Sequence, residues 1–150
     1  MDKDSTFVAI TAHRLVLIDA LDELDAAQWD TASLCGGWRV RDVVGHLVGS
    51  LDVPMVKQLL AALRSLSLDK ASDALARRYG ALDQAELLRR YRGLADKQFS
   101  IPVIGPIAPL IDVLVHSLDI TTPLGLAPLH DEDAARGVLA ALAKGLPGVA

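Results

Sequence analysis

Apolar residues recur along this chain in steps of three and four, with no sustained alternation. Ile10, Leu17, Leu21 and Leu24 follow one another at spacings of seven, four and three. That is one face of a helix, and the pattern predicts it from about residue 6 to about residue 25. Asp4, Ser5 and Thr6 stand ready as caps. Val40, Val43, Val44, Leu47, Val48 and Leu51 fit the helical template at every step and predict a second helix from about Arg39. Pro54 removes a backbone donor and must kink or end it, after which the period resumes from Met55 to Leu66. A third helix is predicted over 83–98, where Asp83 and Glu86 have the spacing of a capping box. A fourth runs from about 107 to about 121 and stops before Pro123-Leu124-Gly125, with Gly125 supplying the turn. A fifth begins near Asp131 and continues to about Lys144.

The interruptions are equally informative. Residues 27–38, AQWDTASLCGGW, read as a loop whose Trp29 and Trp38 anchor it to the core. Residues 67–82 are mixed and compatible with a short helix. Residues 100–109 carry three prolines and a glycine and read as a connector. The expected architecture is all-α: a bundle of four main helices with one additional C-terminal helix.

Composition narrows the chemistry. The 150 residues are most simply one domain, long enough to bury a core without staples, and an apolar fraction of 51% argues against disorder. Aromatics make up 4% and the formal net charge is −4, so general binding to nucleic acid is not expected. The single cysteine, Cys35, excludes an internal disulfide and fits a reducing cytoplasm. The acidic start MDKDSTF is not a secretory signal, and no apolar run approaches the roughly 20 residues of a membrane helix. The closing stretch LAKGLPGVA leaves open whether the fifth helix finishes the fold or the chain continues in a longer protein.

The fourth helix raises the functional question. In IDVLVHSLDITTPLG, residues 111–125, the polar Asp112, His116 and Asp119 fall at spacings of four and three among apolar neighbours. On a helical wheel Ile107, Leu110, Ile111, Leu114 and Leu118 gather on one side and the three polar residues nearly opposite. One reading is a solvated stripe. The other is a metal site, because an aspartate and a histidine one turn apart can reach the same ion. The second helix echoes the motif as DVVGH, residues 42–46, and its His46 could add a third ligand. Three nitrogen and carboxylate ligands with one open position suit Zn²⁺, with Ni²⁺, Fe²⁺ or Mn²⁺ as alternatives. Asp42 reads better as a first-turn acid that offsets the helix dipole. His13 shares a face with Leu17 and Leu24 and reads as buried or cleft-lining, His130 as exposed, and Cys35 as packed.

The run WDTASLCGGWRVRDVVGHL (29–47) and, further on, PLIDVLVHSLDITTPLG (109–125) together resemble the mycothiol-dependent maleylpyruvate isomerase family, of the DinB-like superfamily of metal-binding four-helix bundles. The resemblance covers nearly the whole chain. It implies that His46 and His116 are metal ligands and that Asp112 stands at the third ligand position, where the isomerase type typically has glutamate and other DinB-like proteins histidine. Asp119 is then expected behind His116, holding its ring in one tautomer.

The resemblance further implies mycothiol, or another low-molecular-weight thiol, as cofactor or co-substrate. It implies isomerase or S-transferase chemistry on a small electrophile. Arg14, Arg89, Arg90 and Arg92 are cationic candidates for substrate carboxylates by charge alone. The competing expectation is a metal- or small-molecule-binding module without catalysis. A homodimer is compatible with the superfamily.

Overall fold

The computed structural model describes residues 2–101, 104–129 and 132–145. Eight helices lie among them: α1 (Lys3–Asp22), α2 (Ala26–Trp29), α3 (Val40–Asp52), α4 (Met55–Ser65), α5 (Leu68–Gly80), α6 (Gln84–Gly93), α7 (Ile107–Thr121) and α8 (Glu132–Ala143). Four of these close a ring. Helices α1 and α3 each pack on both α6 and α7, which makes the four-helix bundle that the periodicity predicts. Outside the ring, α5 covers α3, α4 lies on α5, and α8 rests on α7. The described residues include no strand, only the isolated bridges Ala32–Arg39 and Ile101–Gly105. None of their helices is long and apolar enough to cross a membrane.

Helix α1 starts earlier than expected. Its cap is Asp2, whose carboxylate accepts from the Ser5 backbone N–H at 2.8 Å, and not Asp4, Ser5 or Thr6. Its apolar face is as predicted, with Ile10, Leu17 and Leu21 buried and Leu24 buried just past the helix end. The loop predicted over 27–38 overlaps one helical turn, α2. There Asp25 and Gln28 form a reciprocal capping box and Trp29 is driven into the core.

All six apolar positions predicted for the second helix are buried on α3. Asp42 is fully buried at its start, accepting from the Arg39 backbone N–H at 3.0 Å and from the Arg39 guanidinium at 3.1 Å. It serves the helix terminus, as expected. The opposite flank of α3 meets α5 at very short range. A Cβ on Gly45 would lie 2.3 Å from the Ala76 carbonyl oxygen and 2.5 Å from the Gly80 nitrogen. One on Gly80 would lie 2.7 Å from the Asp42 carboxylate. Only glycine fits where these backbones cross.

The mixed segment 67–82 holds a full helix, α5, capped by Ser67. It buries only Ala76, Tyr79 and Gly80, small residues for the most part, which explains its weak apolar signature. Helix α6 is shorter than predicted. Asp83 caps it as expected, but the Glu86 carboxylate is engaged by Arg89 and Arg90.

Helix α7 has the predicted bounds and a different buried face. Leu110, Val113, Leu114, Ser117, Ile120 and Thr121 point inward, while Leu118 is exposed. Because α7 packs between α1 and α3, this face is turned by roughly a quarter of a revolution from the one that the leucines alone suggest. Gly125 takes a positive φ of 67° in the turn that follows. The predicted start of the fifth helix at Asp131, and His130, lie outside the described residues.

Candidate metal centre at the α3–α7 edge

The rotation of α7 brings Asp112, His116 and Asp119 to the margin of its buried face, half-buried and turned toward α3. His46 meets them from α3. Nε2 of His46 lies 3.5 Å from Asp112 Oδ1, and Nε2 of His116 lies 3.4 Å from the same oxygen. The two imidazole rings face each other edge to face with centroids 5.0 Å apart. Ligand atoms of His46, Asp112 and His116 all fall within 4.8 Å of one another. The shorter aspartate therefore reaches the cluster.

These spacings are long for hydrogen bonds and suited to a shared ion. Two donors each about 2.1 Å from a tetrahedral ion stand roughly 3.4 Å apart. The donor set of two imidazoles and a carboxylate fits a borderline divalent cation. Burial alone would raise the Asp112 carboxyl, but the two imidazoles beside it hold it well below the usual carboxylate range. Burial would lower His116, yet Asp112 and Asp119 together raise it above the ordinary histidine value.

Each histidine is oriented from behind. His116 Nδ1 lies 2.9 Å from Asp119 Oδ2. A carboxylate only accepts, so this nitrogen carries a proton, and in the neutral ring that leaves the Nε2 lone pair on the side of Asp112. Ser72, on α5, stands 3.3 Å from His46 Nδ1. The α3–α5 glycine crossing is what brings Ser72 that close.

A second group, Cys35, His116 and Asp119, also lies within 4.8 Å. Its spacings are those of hydrogen bonds, with Cys35 Sγ donating to Asp119 Oδ2 at 3.1 Å. Burial, and then Asp119 and Asp112, push the Cys35 thiol up to about 12. It is a protonated donor, packed against the core as expected, and not a ready nucleophile.

The loop carrying Cys35 also places Trp38. The Leu34 N–H donates to the Asp119 carbonyl, Trp38 Nε1 donates to Asp73 at 2.8 Å, and Arg77 holds the Gly37 carbonyl. The Trp38 ring lies 5.3 Å from His46 and 6.5 Å from His116, closing one side of the cluster. On another side a cavity of about 230 Å³ opens. His46 and Asp112 form part of its wall together with Arg14, Ser50, Gln58 and apolar residues.

His13 is buried, with Nε2 3.0 Å from the Ser117 hydroxyl, and does not line this cavity. Its neighbour Arg14 does. Arg14 had a readable signal: it fills the gap between Ile10 and Leu17, so a charged residue occupies the buried stripe of α1. Ser72 had none, being an ordinary serine in a polar helix.

A helical ring with two histidines and an aspartate converging at one edge defines a DinB-like bundle carrying a candidate ligand cluster. The model of the mycothiol maleylpyruvate isomerase N-terminal domain matches residues 12–98, more than half of the chain, and the protein belongs to that family. The matched span contains Arg14, Trp38 and His46, while Asp112, His116 and Asp119 lie beyond it. No curated protein and no solved structure gives a significant match.

Proposed function

We propose that His46, Asp112 and His116 hold a divalent metal ion, zinc by the chemistry of the donors, and that the protein uses a low-molecular-weight thiol, mycothiol by family, on a small electrophile. The observation that carries this reading is the pair of 3.4–3.5 Å spacings about Asp112 Oδ1. A zinc-type ion supplies one thing here, a lowered pKa for a thiol bound beside it, so that thiolate is present near neutral pH.

The chain's own residues do the rest. Asp119 fixes the His116 tautomer, Ser72 steadies His46, and Trp38 shuts out water on the loop side. The cavity holds the electrophile with its reacting carbon toward the His46–Asp112 edge. Addition of the thiolate sulfur to one alkene carbon turns the double bond into a single bond and leaves the electron pair on the neighbouring carbon. Rotation and expulsion of the thiolate return the alkene as its other isomer with the thiol regenerated. Protonation of that carbon instead gives a stable thioether, the transferase outcome.

Elemental analysis of purified protein tests the first half: near-stoichiometric metal in the wild type, lost in the His46→Ala, His116→Ala double variant. Neither protein binding zinc after reconstitution would refute it. Titration of the zinc-loaded protein with mycothiol tests the second half. Metal occupancy without thiol binding would favour a non-catalytic module.

A further inference from the structure

The cavity beside the cluster contains a buried cation that the proposed chemistry leaves unused. Arg14 is only 4% exposed. Its Nη1 donates to the Ala95 carbonyl at 3.1 Å and to the Lys97 carbonyl at 2.9 Å. Both partners are neutral, and no carboxylate among the described residues lies within ion-pair distance of it. Buried arginines are almost always paired with an anion. The contrast with the three other cationic candidates is sharp. Arg89 is paired with Glu86, Arg90 with Glu86 and Asp52, and Arg92 with Asp19, all away from the cavity.

Asp112 is close enough to feel the Arg14 charge, but its carboxylate is engaged by the two imidazoles. Burial lowers the guanidinium's pKa, yet an arginine remains charged at neutral pH. Tyr91 adds to the imbalance: its hydroxyl is buried without a hydrogen-bond partner among the described residues and lies within electrostatic range of Arg14. The two carbonyls on Nη1 fix the plane of the guanidinium in advance. The Nε and Nη2 edge has no hydrogen-bond partner among the described residues, and that edge matches the two oxygens of a carboxylate.

We propose that Arg14 is a carboxylate-binding residue of this cavity, so that its small-molecule ligand carries a carboxylate at one end and an apolar body along Leu47, Leu51, Phe99 and Val113. The ligand's other end then meets the His46–Asp112 edge. The proposal deepens the metal-and-thiol reading of the same site and rests on it for the reaction, though not for the binding.

The test uses a matched pair of probes, cinnamate and cinnamamide, which differ in charge and little in shape. Binding is followed by NMR titration of the metal-free 150-residue chain, so that no ion can attract the carboxylate. Cinnamate should bind roughly tenfold tighter than the amide and shift the Arg14 Nε–H resonance, as expected of a charged, two-point contact. Arg14→Gln should abolish the preference, and Arg14→Lys should restore only part of it, because an ammonium lacks the fork.

Should Arg14→Gln fail to fold, the wild-type preference and the Nε–H shift still decide. Equal binding of the two probes, no binding of either, or a preference that survives in folded Arg14→Gln would each overturn the proposal. The His46→Ala, His116→Ala variant separates the two claims. A carboxylate preference retained in that variant, beside a wild type that never takes up metal, would leave Arg14's role standing while the metal reading falls.

Discussion

Helices α3 and α4 are consecutive in the chain, both have apolar residues at helical spacing, and they meet opposite fates. Val40, Val43, Val44, Leu47, Val48 and Leu51 on α3 are all buried, whereas on α4 Val56, Leu59, Leu60 and Leu63 are exposed, Leu63 by 70%. Their periodicities are alike. The difference lies in what the other flank of each helix permits. Gly45 and Gly80 let α3 sink against α5 while its apolar face meets α6 and α7. Helix α4 is severed from α3 at Pro54, lies outside the ring on α5, and has no third layer over it among the described residues. A helical period therefore specifies a helix, and only backbone proximity specifies its depth.

The comparison breaks most completely at Gly45. Replacing a helical glycine with alanine gains about 1 kcal/mol of helix propensity. At Gly45 the added carbon meets backbone atoms that cannot swing away, and overpacking of this kind outweighs the gain. Gly45→Ala should lose about 3 kcal/mol net in chemical denaturation. It should also weaken metal uptake by moving Ser72 off His46.

Leu47→Ala, on the buried face, should cost about 2–3 kcal/mol through the cavity it opens. Asp119→Asn should leave the fold intact and weaken zinc affinity about 10–100-fold in competition titrations, since the amide no longer demands a proton on His116 Nδ1.

Acidification follows from the same contact. His116 is raised above the ordinary histidine value, so protons compete with the ion for its Nε2. Zinc affinity should fall as pH drops, beginning above the ordinary histidine range, with the onset moved downward in Asp119→Asn. The smallest effect belongs to α4: Leu63→Ser should change stability by less than about 0.5 kcal/mol. A large loss there would mean that the stripe is covered in solution.

These contrasts also mark what the sequence could tell. Helix α3 and the bounds of α7 were legible because their apolar positions are dense and flanked by proline or glycine. The fate of α4 was not, because burial depends on neighbours that arrive from elsewhere in the chain. The α5 helix was faint because its buried residues are small. His46, Asp112 and His116 could be proposed from spacing and resemblance. Their convergence depended on the roll of α7, which Leu118 misdirects and which buried Ser117 and Thr121 correct. Asp119 lies 2.9 Å from His116 Nδ1. Ser72 left no trace because its role lies in a backbone crossing, and Arg14 left one only as a charge in an apolar stripe.

The placement of Trp38 gives the protein an optical reporter. Its indole lies 5.3 Å from His46 and 6.5 Å from His116. An excited indole gives up an electron readily, and a protonated imidazole is a far better acceptor of it than a neutral or metal-bound ring. Trp29, the only other tryptophan, is sealed in the core and supplies a steady background. On the proposed reading, metal binding at the two histidines should therefore change the emission intensity of this single residue, readable without any label.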